Sequence, residues 1–282
     1  MSNFVEVNNI KLHYIDHRGR EPALVLLPGL TANARSFDGL IQAGLSPRFR
    51  VLALDLRGRG LSDKPATGYA MTDHAADVVE LLDSLGIHQG VICGHSFGGL
   101  LALYLAAHYP ERFAKLVVID ASITLVNQTS RDLIKPSLER LGKTLPSWEA
   151  YLETMKKAPS FYQWWDPAIE SYFRADVQIN EDGTARARSR PENIAEAIDK
   201  AEQEDWIEHA ARIRQPALLL HARGAYGFPG TPPIVPLEQA MAMAATLADC
   251  RYVEIPGNHM TMLFGEGAHR IVEAVTEFIK AG

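Results

Sequence analysis

The chain of 282 residues has room for one large α/β domain, or for one domain with an inserted module. Hydrophobic residues make up 47% and charged residues 22%, which supports a sizeable core in an ordinary soluble chain. A net charge of -6 with no run of Lys or Arg argues against nucleic acid as a partner.

The N-terminal stretch alternates polar and apolar residues over 3–8 and 10–16, and Asn8-Asn9 supplies a tight turn, so a hairpin is predicted. It lacks a basic region followed by an apolar one, so no signal peptide is expected. No apolar run approaches ~18 residues, so no membrane span is expected. Short runs rich in Val, Ile and Leu follow at 23–27, 50–54, 90–94, 115–120, 216–221 and 250–255, and they suit strands buried on both faces. Helical spacing falls between them at 36–44, 71–85, 97–109, 236–247 and 266–280, with Thr72 or Asp73 as N-cap of the second. Strands alternating with helices imply a mostly parallel sheet covered on both sides. Cys93 lies in an apolar run, where a thiol acts as a small hydrophobe. With Cys250 as the only other cysteine, no disulfide framework is indicated, and a reducing cytoplasm is the expected location.

The rhythm breaks over 121–209. That stretch is helical in pattern and dense in aromatics, including Trp148, Tyr151, Phe161, Trp164, Trp165, Tyr172, Phe173 and Trp206. A small hairpin is predicted around Asp182-Gly183. The segment reads as a lid inserted over the strand ends, between core portions 1–120 and 210–282. Its aromatics suit either an apolar substrate or the lid's own core.

Gly94-His95-Ser96-Phe97-Gly98 matches G-x-S-x-G. Chance would supply this pattern in about one such chain in ten. Here an apolar run precedes it and an amphipathic helix follows. A strand that turns into a helix within one residue holds its Ser at strained dihedrals, with the hydroxyl projecting at the helix N-terminus. Ser96 is therefore the candidate nucleophile. His95 cannot fold back onto its neighbour's hydroxyl and reads as a supporting residue.

The base must reach the same sheet edge. His259 follows the last strand in PGNHMTM, where Pro256, Gly257 and Asn258 form a turn that can throw the imidazole back toward Ser96. His221, at the end of LLLH, is the rival. The third member should be a carboxylate that fixes the imidazole tautomer. The loop after His221 carries no Asp or Glu before Glu238. Asp120 ends the run KLVVID at the same edge and is the expected acid; Glu202, Glu204 or Asp205 near the end of the lid are the alternatives, and Asp120 could instead cap the first lid helix. The oxyanion hole is assigned to the backbone N–H groups of Phe97 and of Leu30, in the loop LLPGLTANARSF, where Pro28 has no N–H to give. Arg186, Arg188 and Arg190 alternate along one strand and read as a solvated edge or as a site for a substrate carboxylate. No metal-ligand cluster and no G-x-G-x-x-G after an early strand is present, so no cofactor is expected.

With GHSFGG, DLRGRGLSDKP (55–65), DWIEHAARIRQPALLLHA and PGNHMTM, the chain resembles the α/β-hydrolase superfamily along almost its whole length, in its esterase, C–C hydrolase and peroxidase-like branch. The resemblance implies an eight-stranded, mostly parallel sheet with helices on both faces and a helical lid. Two departures stand out. Pro28-Gly29 replaces the family's His-Gly, and the late acid is missing. Members of the acetamidomethylene-succinate hydrolase type carry their acid after the earlier strand, a position that Asp120 matches. Epoxide hydrolases and haloalkane dehalogenases need a carboxylate nucleophile, which Ser96 is not. The expectation is an esterase or lactonase acting on a small-molecule ester or lactone. C–C bond or amide hydrolysis by the same residues is the alternative, and a non-catalytic ligand receptor is the last.

Overall fold

In the computed structural model, which describes residues 1–281, β1 (Ser2–Val7) and β2 (Ile10–His17) form the expected hairpin. Asn8 and Asn9 sit at φ 44° and 59°, the pair of positive values that a type I′ turn requires. The chain continues through β3 (Leu24–Leu27), β4 (Val51–Asp55), β5 (Gly90–His95) and β6 (Phe113–Ile119). It then leaves the sheet through β7 (Thr144–Leu145), β8 (Val177–Ile179) and β9 (Ala185–Ala187), and returns as β10 (Ala217–Ala222) and β11 (Cys250–Ile255). The main sheet has eight strands in the order β1-β2-β4-β3-β5-β6-β10-β11. Among the described residues of this sheet, only the pairs β1/β2 and β2/β4 are antiparallel.

Strand periodicity divides the core. In β3, Val25 and Leu27 face one side while Leu24 and Leu26 face the other; in β5, Ile92 opposes Val91 and Cys93. One face packs under helices Met71–Ser84, Phe97–His108 and Leu237–Thr246, the other under Gly265–Lys280 and the segment Ala34–Gln42. Cys93 is buried and free, and burial pushes its thiol far above the ordinary range. Helix Met71–Ser84 is capped differently from the expectation. Its N-cap is Ala70, and Asp73 lies one turn inside, where its carboxylate accepts from the Ala70 N–H at 2.9 Å. The Asp73 carboxylate at that third position supplies one half of a capping box, and the alanine side chain has no acceptor with which to supply the other.

Between β6 and β10 lie helices Gln128–Glu139, Trp148–Lys156, Ala168–Asp176, Pro191–Glu202 and Trp206–Arg212, with a small antiparallel sheet in the order β7-β9-β8. The hairpin around Gly183 is β8–β9; its third strand, two residues long, carries no sequence periodicity. Tyr151, Phe161, Trp165 and Phe173 pack ring against ring in this segment. No helix among the described residues is long and apolar enough to cross a membrane.

Register aligns the strand ends. Leu27 pairs with Gly94, His95 and Leu220 both pair with Ile119, and Ala222 pairs with Ile255. The loops that begin at residues 28, 96, 120, 223 and 256 therefore leave from one edge of the sheet.

Candidate active site

Ser96 sits at φ 56°, ψ −121° between β5 and the helix that starts at Phe97. A non-glycine residue holds such dihedrals only when its surroundings over-determine them. The surroundings here are tight. A Cβ on Gly94 would lie 1.9 Å from the Gly98 carbonyl oxygen, and one on Gly98 would lie 2.1 Å from that of Leu27. The two glycines let the helix start press directly onto β3 and β5, which leaves Ser96 at the exposed end of the strand.

Ser96, Phe97, Leu30 and His259 line one cavity. His259 Nδ1 lies 2.6 Å from Asp120 Oδ2. An ionised carboxylate accepts only, so Nδ1 is the donor in this contact. Asp120 is buried, at φ 47°, a left-handed value that Asp tolerates better than most residues. Its other oxygen accepts from the Ala222 N–H at 2.9 Å. Asn258 fixes the histidine loop: its amide donates to the Ser160 and Ala225 carbonyls at 2.9 and 3.2 Å, and its oxygen accepts from the N–H groups of Met260 and Thr261.

The other sequence candidates lie elsewhere. His221 is buried between the Tyr252 hydroxyl and the Val235 carbonyl, 2.8 Å from each, which occupies both ring nitrogens. Glu202 pairs with Arg131, Glu204 with His209, and Asp205 caps helix Trp206–Arg212. In the loop after β10, a Cβ on Gly224 would lie 2.3 Å from the Gly257 carbonyl oxygen, so no longer side chain fits there. Arg186 and Arg190 are exposed, and none of Arg186, Arg188 and Arg190 lines the cavity. Of the aromatics in the inserted segment, Phe161, Tyr172 and Phe173 reach the cavity wall; Trp148, Trp164, Trp165 and Trp206 do not.

Neither Leu30 N–H nor Phe97 N–H meets an acceptor among the described residues. Arg59, invisible to sequence reasoning as a site residue, lies behind both. It is fully buried, donates from Nε to the Leu30 carbonyl at 2.9 Å and from Nη1 to the Arg57 carbonyl at 2.7 Å, and its guanidinium sits 5.2 Å over the Phe97 ring. Burial lowers its pKa to about 10, which keeps it charged at neutral pH. His95 Nε2 donates to the His259 carbonyl at 2.8 Å; burial, with His259 beside it, holds its pKa well below 6.5, so the ring is neutral. Nothing in the sequence singled out Arg59 within DLRGRGLSDKP, because a residue's position behind a loop depends on packing rather than spacing. Among the described residues no group of three or more His, Cys, Asp or Glu could hold a metal ion.

A family described as the alpha/beta hydrolase fold matches residues 22–266. In sequence, the chain is 37% identical over 120 residues to a 2-(acetamidomethylene)succinate hydrolase of Mesorhizobium japonicum, across 43% of this chain and 42% of the relative. It is 28% identical over 219 residues to an N-formylmaleamate deformylase of Pseudomonas putida, across 77% of this chain and 76% of that one. The match thus spans less than half of the first relative. The crystal structure of an E-2-(acetamidomethylene)succinate hydrolase superposes with a TM-score of 0.82 over 99% of both chains at 24% identity, a likeness of fold.

Proposed function

The chain belongs to the alpha/beta hydrolase fold family, and from that premise we propose that it is a serine hydrolase that cleaves a carboxylic ester or lactone through an acyl-enzyme. The reading rests on the 2.6 Å contact between Asp120 and His259, with His259 and Ser96 on one cavity wall. In this reading His259 Nε2 takes the Ser96 proton as Oγ attacks the carbonyl carbon. Asp120 holds the tautomer and stabilises the imidazolium. The N–H groups of Leu30 and Phe97 receive the oxyanion; each such donor contributes a factor of about 10²–10³ to kcat. His259 then protonates the leaving oxygen, and water, deprotonated by the same nitrogen, releases the acid and restores Ser96. Residues 121–209 act as the lid, closing the cavity above Ser96.

Amide or C–C hydrolysis would use the same groups. The names of the two sequence relatives, a deformylase and an acetamidomethylene-succinate hydrolase, favour it as the second reading.

A fluorophosphonate probe followed by peptide mapping tests the assignment, run beside a matched ester and amide of one acyl group. We expect label on Ser96 alone and faster turnover of the ester. Label on another residue would remove Ser96 as nucleophile, and faster amide turnover would favour the second reading.

A further inference from the structure

We propose that this site takes an uncharged ester whose acyl part is apolar and about six carbons in size. This rests on the serine-hydrolase reading above and concerns the substrate class of the same site.

The first observation is charge balance. Among the described residues on the cavity wall, only Arg131 and Arg140 carry a permanent charge, and His95 is held neutral by burial. Arg131 Nη2 lies 2.5 Å from Glu202 Oε1 and 3.6 Å from Asp199 Oδ1. Arg140 Nη1 pairs with Asp176 Oδ2, the oxygen to which the Tyr151 hydroxyl donates at 2.5 Å, and Nη2 donates to the Thr31 carbonyl at 3.3 Å. Each of these two cations already has its acid, and Arg59, which has none, lies behind the wall with its Nε and Nη1 donating to the Leu30 and Arg57 carbonyls, so the wall itself offers no free positive charge. A substrate carboxylate would stay unpaired in an apolar cavity, or would take Arg140 from Asp176 and leave a carboxylate that is 2% exposed without its counter-ion. Both are strongly unfavourable.

The second observation is size and lining. The cavity has a volume of about 160 Å³, and Leu133, Ile134, Leu138, Ile198 and Ile234 make much of its wall. An apolar cavity of about 150 Å³ accommodates benzene, a six-carbon solute. A hexanoyl or benzoyl group matches that volume, and a much longer chain would have to run out into solvent.

The test compares p-nitrophenyl hexanoate with mono-p-nitrophenyl adipate, which has the same acyl length but ends in a carboxylate. An acyl series from acetate to dodecanoate and fluorophosphonate labelling of Ser96 accompany it. We expect kcat/KM for the hexanoate to exceed that for the adipate at least 100-fold, with a maximum near six carbons and a tenfold fall by dodecanoate. Asp176→Asn frees the Arg140 charge and should narrow the hexanoate-to-adipate ratio at least tenfold, mainly through KM of the adipate. If that variant does not fold, the wild-type ratio alone decides. Equal or faster turnover of the adipate, an optimum at dodecanoate, or an unchanged ratio in a folded Asp176→Asn protein overturns the proposal while labelled Ser96 leaves the serine-hydrolase reading standing. Failure of Ser96 to label overturns both.

Discussion

Asp120 and His259 meet at 2.6 Å although 139 positions separate them in the chain. The meeting follows from register: Ile119 ends β6 level with Leu220 of β10, and Ala222 ends β10 level with Ile255 of β11. The strand between them is bridged by the Ala222 N–H, which donates to the second Asp120 oxygen. An acid after β6 thus spans the sheet edge to a histidine after β11.

Asp120→Asn presents an amide where His259 needs an acceptor, which disfavours the productive tautomer. We expect kcat on p-nitrophenyl hexanoate to fall about 10⁴-fold with the fold retained, as asparagine does in serine-protease triads. Glu202→Gln and Glu204→Gln should stay within a few-fold of wild type, because their carboxylates face Arg131 and His209. The reverse pattern would move the acid to the inserted segment.

Arg59→Met removes the buried cation behind Leu30 and Phe97 while keeping an apolar stem of similar reach. An oxyanion develops only in the transition state, so the loss should appear in kcat, by about tenfold, with KM little changed. Arg59→Lys should recover part of it. A rise in KM at constant kcat would show that Arg59 only shapes the cavity.

Folding stability should weaken in mild acid. His74 and His95 are buried, and burial first, with neighbouring charge second, keeps the pKa of each well below 6.5 in the folded chain. Unfolding restores the ordinary value. Below pH 6.5 the unfolded chain then binds protons that the folded chain refuses, so stability is full above that pH and lost as pH falls. The slope approaches about 1.4 kcal/mol per pH unit for each histidine. Neither His74 nitrogen has a partner among the described residues, so His74→Leu should fold and flatten the slope by up to that amount. Urea titrations at pH 7.5 and 5.5 measure it; an unchanged slope would mean that His74 is charged in the folded protein.

Gly98→Ala should cost about 3 kcal/mol or more, beyond the usual range for adding one methyl to a packed core. The added Cβ would sit 2.1 Å from the Leu27 carbonyl oxygen and 2.6 Å from that of Pro28, both backbone atoms that cannot rotate away. Thermal unfolding reports the loss. A melting temperature within 2–4 °C of wild type, the shift that about 1 kcal/mol gives in a chain of this size, would show that the loop before Leu30 is softer than its packing implies.

The sheet was legible in the sequence because strands buried on both faces leave short unbroken apolar runs. Each run became a strand of the main sheet within a residue or two, but 250–255 became the edge strand β11, where Arg251 and Glu254 are exposed rather than buried. The hairpin at Asn8-Asn9 and the Ser96 turn were equally readable, since each needs particular residues at adjacent positions. The sequence also narrowed the acid to Asp120 or a carboxylate of the inserted segment, through the lack of any acid after β10. Only the tertiary structure brought Asp120 to His259 and sent Glu202, Glu204 and Asp205 to other partners, because strand register and side-chain pairing join residues far apart in the chain. The same holds for Arg59 behind Leu30 and for Arg140 against Asp176. A buried charge is defined by what surrounds it in space, and nothing in the spacing of residues along the chain encodes that.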